Sequence, residues 1–506
     1  MLKNIGSNWL LMLATAAAIY ILTPFVIGSI GAASYGVWLV IGSMTGYLYL
    51  IRGGVPASSV RTFSKQLAVP DNTLGLNKAV ASSLAVSLLQ AALVIVGGAV
   101  LFAVFEFAFS IPSEIRPQAR IAFIVVVFQI AINLPSRVPL TIMEAHDHFV
   151  PKNFVEFGAL MVRFVLTLVL LSIEASLPLL AAALLGSLIF EFFVALIVVR
   201  RMYPHVHIRV RQADRGMMKD ITKTGVAILV IMVGGQLAYR TDTLVIGAFL
   251  KMEDVSIYGL ANSLTMQMVE MILAIATVVM PRATKLMGAG EHDEVRGLHL
   301  RWSKISLTLM LAPGIYLLIL GQEFISWWIN PELGMPAGEL LWIILPSFFL
   351  FFPARGVAEP LMIAAGKLRI PAAASLISGL SNLGLSVALV GPYGLVGVAI
   401  GTAVPTAILG VLLMYLACVQ VGTSMWTFLR YVFVKNTLGA VPAAGFLVWC
   451  KYEVEPSGFI SLFLIGITML VIYGLCCLFF VYRNDPYLDI MAKFKQIYRR
   501  ARRKRG

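Results

Sequence analysis

The chain has 506 residues, 59% of them hydrophobic and only 13% charged, with a mean hydropathy of +0.89. A soluble domain carries roughly 25% charged residues, so the composition excludes an ordinary soluble globular protein and points to one that lives largely in lipid. The formal net charge is +14; of the four cysteines, Cys418, Cys450, Cys476 and Cys477, none forms a CxxC pair, and neither a disulfide nor a zinc site is expected.

Apolar runs of about 20 residues, long enough to cross the hydrocarbon core, recur from end to end. The pattern predicts about fourteen transmembrane helices, at 8–30, 35–55, 79–105, 118–143, 153–172, 178–200, 223–250, 255–280, 303–321, 338–364, 371–389, 395–418, 436–450 and 458–481. The first run after Asn8 is too long for a signal-peptide core and leads directly into the second, so no cleavable signal is expected. The fourth run contains Pro135 and Pro139, which a membrane helix tolerates where neighbouring groups satisfy the freed carbonyls. The Gly234-Gly235 pair would let the seventh helix bend, and Gly397-x-x-x-Gly401 in the twelfth is a close-packing signal.

Charge fixes the expected orientation. With the N-terminus inside, the outer loops hold only Arg116, Arg120, Lys251 and Lys451, while basic residues crowd 200–223 and the tail RRARRKR at 499–505. This positive-inside bias places both termini in the cytoplasm, and the tail reads as an anchor on anionic lipid. His146-x-His148 and His205-x-His207 fall in inner loops and read as solvated residues, since two histidines at that spacing lack a third metal ligand.

Five arginines lie inside the apolar runs, Arg52, Arg137, Arg163, Arg240 and Arg355, together with Glu156, Glu191, Asp242, Glu270 and Glu359. An ionised group at membrane depth costs at least ~2.5–3.5 kcal/mol, so such groups face a bundle interior or a water-filled path. All five cations are arginine and none is lysine. Three have a plainer reading: Arg52 can snorkel to the nearby interface, Arg137 can cap carbonyls freed by the prolines, and Arg355 and Glu359 are spaced for an intrahelical pair.

The chain also repeats itself. Val26-Ile27-Gly28 followed by Tyr35-Gly36 at the first and second runs matches Val245-Ile246-Gly247 followed by Tyr258-Gly259 at the seventh and eighth. This predicts an all-α polytopic protein of two six-helix lobes, related by a pseudo-two-fold axis along the membrane normal. The lobes would be residues 1–200 and 223–418, joined by a cytoplasmic linker at 201–222 and followed by two extra helices (436–481) and a basic tail (482–506).

The segments SIGAASYGVWLVIGSMTGYLYL (29–50), RTDTLVIGAFL (240–250) and VSIYGLANSL (255–264), with Asn4 and Asn8 before them, resemble the polysaccharide-transporter branch of the multidrug/oligosaccharidyl-lipid/polysaccharide exporter superfamily. That resemblance implies a flippase moving polyprenyl-diphosphate-linked oligosaccharides, such as O-antigen units, across the bacterial inner membrane. It ranks lipid II flippases and multidrug extruders as more distant. Many relatives carry an acid where this chain has Arg52-Gly53-Gly54. The implied partners are the glycolipid, membrane lipids and polysaccharide polymerase machinery, and not nucleic acid.

Flipping breaks no bond, so no catalytic residue or cofactor is expected. Arginine grips phosphate oxygens through paired N–H bonds, which lysine cannot, and the five arginines are the candidate substrate ligands. Resemblance to some lipid II flippases also implies a coupling sodium or proton at Asp242, Asn382, Ser386, Val398 and Thr402, with Ser386 where those relatives have an acid. Two alternatives stand beside the flippase. A cation-coupled drug antiporter would favour acids over arginines in its cavity. A glycan polymerase or ligase would need a sizeable polar outer loop, whereas the longest here, 322–336, holds only Glu323 and Glu332 as acids. No P-loop, GxSxG or HExxH motif supports hydrolytic chemistry.

Overall fold

A computed structural model describes residues 2–488, with side chains omitted at 2–6, 8, 9, 224–235 and 237–239. The basic tail at 499–505 and the side chains of Asn4 and Asn8 lie outside the described residues, and Gly234-Gly235 is described only as helical backbone. The regular structure among the described residues is entirely helical. Lipid dictates this, because a helix satisfies its own backbone N–H and C=O groups where no water can.

The chain packs as two compact units, Met1–Ser256 and Ile257–Gly506. The first contains α1 (Leu2–Ile30), α2 (Ala32–Gly46), α3 (Tyr49–Arg52), α4 (Val55–Leu67), α5 (Thr73–Ala108), α6 (Arg116–Ser136), α7 (Val138–Ala145), α8 (Phe149–Ile173), α9 (Leu177–Met202) and α10 (Arg215–Phe249). Side-chain caps fix several starts: Asn72 accepts from the Gly75 N–H at 3.0 Å and Asp214 from Met217 at 2.9 Å. The second run is not one straight helix. It breaks at 47–54, where Gly53 adopts φ 48°, a left-handed value that suits glycine. Arg52 sits at that break. The fourth run breaks between α6 and α7, between the prolines. Phe63, Leu76, Val80, Leu140, Ile142 and Val199 form a buried cluster at one end of the unit. The seventh run, α10, packs on α2, α4 and α5 of the same unit.

The second unit begins within α11 (Met252–Gly288) and continues through α12 (His292–Trp328), α13 (Pro331–Pro353), α14 (Glu359–Ala364), α15 (Arg369–Gln420), α16 (Met425–Leu429), α17 (Lys435–Trp449) and α18 (Phe459–Cys476). The 52-residue α15 is a helical hairpin. It turns at Gly394, φ 57°, and its arms are joined where the Ser378 hydroxyl donates to the Pro405 carbonyl at 3.3 Å and Asn382 donates to Thr402 at 3.2 Å.

Twelve helical segments of the described residues are long and apolar enough to span a membrane. One of them is the α15 hairpin, whose two arms correspond to the expected eleventh and twelfth spans. The 35-residue α10 supplies the expected seventh. The fourteen-span reading is thereby matched, and the chain is a multi-pass membrane protein.

Candidate substrate site

Three of the five arginines gather in the first unit. The break after α2 turns Tyr49 and Arg52 inward, and the Tyr49 phenol lies within electrostatic reach of Arg52, Arg163 on α8 and Arg240 on α10, with Gln129 of α6 against it. Among the described residues no carboxylate lies within 4 Å of any of these three guanidinium groups. Arg163 and Arg240 lie exposed on the surface of the unit, and Arg52 is partly buried. The Arg240 stem lies on α2: its Nη1 donates to the Gly42 carbonyl at 3.2 Å, and a Cβ on Gly46 would stand 2.9 Å from its Cδ. Glycine at 46 is what admits the side chain. Tyr47 meets the Thr241 hydroxyl at 3.2 Å beside it.

Arg137 is built differently. It donates to Glu156 at 3.1 Å and Glu191 at 3.3 Å, and Lys152 bridges Glu156 at 3.3 Å and Glu144 at 3.1 Å. Three carboxylates against two cations leave this network with no positive charge to offer an anion. Glu156 thus partners Arg137 rather than Arg163, and Glu191 finds its partner on another helix. In the second unit Arg355 pairs with Glu359 one turn on, within a widened turn at 354–358 that follows Pro353.

Of the expected cation-binding group, the second unit brings Asn382, Ser386, Val398 and Thr402 together on the two arms of the α15 hairpin. Thr402 Oγ1 accepts from Asn382, lies 3.2 Å from the Val398 carbonyl and meets the Tyr258 hydroxyl at 3.0 Å. The Asn382 amide oxygen is buried with no hydrogen-bond partner among the described residues, which suits an oxygen-seeking cation. Asp242 is buried on α10 of the first unit.

Sequence reasoning missed a second class of charge. Lys304, just inside the expected limit of the ninth span, is fully buried on α12, so the expectation that every intramembrane cation is arginine needs correction. Its Nζ donates to Asp485 at 2.6 Å and to the Val481 carbonyl at 2.9 Å and sits 4.7 Å from the Tyr431 ring centre. Burial raises the Asp485 carboxyl, but bonds from Lys304, Tyr431 and the Tyr487 N–H outweigh it and hold the group below its usual range. Next to it, Thr308 bonds Asn436 at 2.9 Å and Tyr482 at 2.7 Å, so the last two spans are tied to α12 by polar groups. An isolated lysine near a span end carries no signal of this; its partner lies 181 residues away. Of the inner-loop histidines, His148, His205 and His207 are exposed as expected, whereas His146 is half-buried and stacks on Tyr203 with centres 4.1 Å apart; His148 also hydrogen-bonds the Tyr203 hydroxyl.

The helical architecture and the hairpin at the eleventh and twelfth spans define a polytopic helical membrane protein. The solved structures it resembles agree in fold. An inward-facing multidrug resistance MATE family transporter of the MOP superfamily superposes with a TM-score of 0.70 at 14% identity, covering 81% of this chain and 94% of the other. A lipid II flippase MurJ in an inward closed conformation gives 0.67 at 16% identity, covering 94% and 98%. No curated protein sequence matches significantly.

The family model described as lipid II flippase MurJ matches residues 63–469, and the chain belongs to that family. The resemblance drawn from short motifs reached the right superfamily but favoured its polysaccharide branch, whereas the matched family is the lipid II one.

Proposed function

We propose that this protein is a flippase for a polyprenyl-diphosphate-linked oligosaccharide in the bacterial inner membrane, with both termini cytoplasmic. The observation that carries the reading is the group of Arg52, Arg163 and Arg240 around Tyr49, three cations with no carboxylate within ion-pair distance among the described residues, in a member of the MurJ family. A diphosphate headgroup brings about two negative charges and does not cross hydrocarbon unaided; such a group supplies the counter-charge these arginines lack. Membership of the lipid II flippase family supports a lipid-linked glycan as cargo. The motif resemblance supports a surface-polysaccharide unit, passed on to polymerase machinery. Arg137 and Arg355, already paired, belong to the frame that holds the path rather than to the grip.

Alternating access between two pseudo-symmetric lobes, 1–200 and 223–418, is the motion this reading calls for. Asn382, Thr402 and the Val398 carbonyl of the α15 hairpin would hold a coupling sodium ion, a role the motif resemblance also gives Asp242; Ser386 in place of an acid lowers the charge, so that sodium affinity falls or protons replace sodium.

The test is translocation of a labelled polyprenyl-diphosphate glycan in proteoliposomes under an imposed potassium diffusion potential. Each negative charge leaving a negative interior gains ~2.3 kcal/mol per 100 mV, so rates should rise with potential and Asp242→Asn should change their dependence on sodium or pH. Lipid II and an O-antigen-type unit compared side by side assign the cargo. Transport of neither, with efflux of cationic drugs instead, would transfer the protein to the antiporter class.

A further inference from the structure

A basic cavity forms a second feature of the first unit. In the first unit a cavity of about 500 Å³ opens where α6 breaks into α7 at Pro135 and Pro139. Its apolar walls are Leu84, Ile132, Phe192 and Leu196, and Arg200 and Arg209, both exposed, also line it. None of the residues lining it is acidic. The chain after α9 forms one wall, and it is held in place: the buried Asn77 of α5 donates to the His205 carbonyl at 3.1 Å and accepts from the His207 N–H at 2.7 Å.

We infer that this groove binds one anionic phospholipid of the leaflet next to the 201–222 segment, with its phosphate between Arg200 and Arg209 and an acyl chain along the apolar walls. The dimensions suit it: Phe192 to Arg200 spans about 12 Å of helix at 1.5 Å per residue, the depth from a phosphate into the upper acyl region. A helix C-terminus favours cations by itself, which would account for Arg200 at the end of α9. It does not account for Arg209, which lies beyond the helix on extended backbone, φ −140° and ψ 126°. The pinned wall brings that second arginine back to the same cavity. A membrane protein with an apolar groove open at headgroup level meets phospholipid at every encounter, and charge selects the anionic one.

The experiment uses the full chain in detergent, exchanged against phosphatidylglycerol or phosphatidylcholine of identical acyl chains, with retained lipid counted by native mass spectrometry. Wild type should retain one phosphatidylglycerol in clear preference to phosphatidylcholine. Arg200→Gln and Arg209→Gln should each weaken that preference about fivefold, matching ~1 kcal/mol per cation at a membrane surface. A tail variant with Arg499, Arg500 and Arg502 changed to Gln controls for diffuse attraction and should retain the lipid. Leu196→Trp fills the apolar floor without touching the charges and should displace the lipid even if an arginine variant fails to fold. Equal retention of both lipids, or undiminished phosphatidylglycerol in Arg209→Gln and Leu196→Trp, overturns the site.

Discussion

Two groups of cations within the helical spans obey opposite rules. Lys304 in the second unit is enclosed completely and has everything it needs: a carboxylate at 2.6 Å, a carbonyl and two aromatic rings. Arg52, Arg163 and Arg240 in the first unit gather around a phenol, with no acid within ion-pair distance among the described residues. Charge buried for architecture arrives with its counter-ion, because an unpaired buried charge is strongly destabilising. On the proposed function, charge held at membrane depth without one is kept for the counter-ion that the cargo brings. Arg137 and Arg355 share the first of these features, each having a carboxylate partner.

The sharpest way to break the contrast is at Lys304. Lys304→Met should cost ~3–5 kcal/mol of stability by stranding Asp485, seen as a lost thermal transition and reduced membrane yield. Lys304→Met with Asp485→Asn should recover much of that, since the amide keeps an acceptor for Tyr431 and the stranded charge is gone. If the single and double variants are equally unstable, the pair is not what secures the last two spans.

Arg163→Ala should do the reverse. Fold and yield should survive, while glycolipid translocation falls on the order of a hundredfold, the usual cost of losing one donor from a preorganised anion site. Arg163→Lys should rescue little, because the paired N–H geometry is lost. Translocation unchanged in Arg163→Ala would remove the phosphate grip. Arg137→Gln is the companion: it should lower stability first, with transport following yield.

Gly46→Ala probes the same site through packing. Its Cβ would sit 2.9 Å from Arg240 Cδ, forcing the side chain off α2. A cost of ~1–3 kcal/mol is expected from such overpacking, with a drop in translocation beyond what yield explains. Gly28→Ala meets nothing within 4 Å and should be silent in both assays.

The contrast also marks what the sequence could reveal. Span positions were legible because apolar length is a local property, and the turn at Gly394 falls in the gap left between 371–389 and 395–418. The Arg355–Glu359 pair was legible because four residues is one helical turn. Which arginine lacks an acid was not, since Glu156 and Glu191 reach Arg137 from other helices, 19 and 54 residues away. Nor was the break that turns Tyr49 toward the arginines, because a phenol in an apolar run looks like any other lipid-facing aromatic. Lys304 was hidden for the same reason as Asn77: its partner is a distant part of the chain.

The smallest expected effect concerns pH. His146, just past the end of α7, is half-buried, stacked on Tyr203, and lowered below the ordinary histidine value chiefly by burial, with His148 and His205 adding repulsion against the opposing bond to the Ile142 carbonyl. A histidine with a depressed folded pKa is protonated more readily when unfolded, so the unfolded state binds more protons and stability rises with pH across that interval. The contribution of neutral His146 is therefore present above the ordinary value of 6.5 and lost as pH falls through the folded one. Thermal midpoints of wild type and His146→Gln should converge as the pH is lowered from 7.5 toward 5. His148 and the Tyr203 hydroxyl face the same ring, and Lys152 and Glu144 lie close in sequence, so His148→Gln must be run in parallel. A gap between wild type and His146→Gln that stays constant over that range would assign His146 a packing role with no proton linkage, and would leave the charge contrast between the two units untouched.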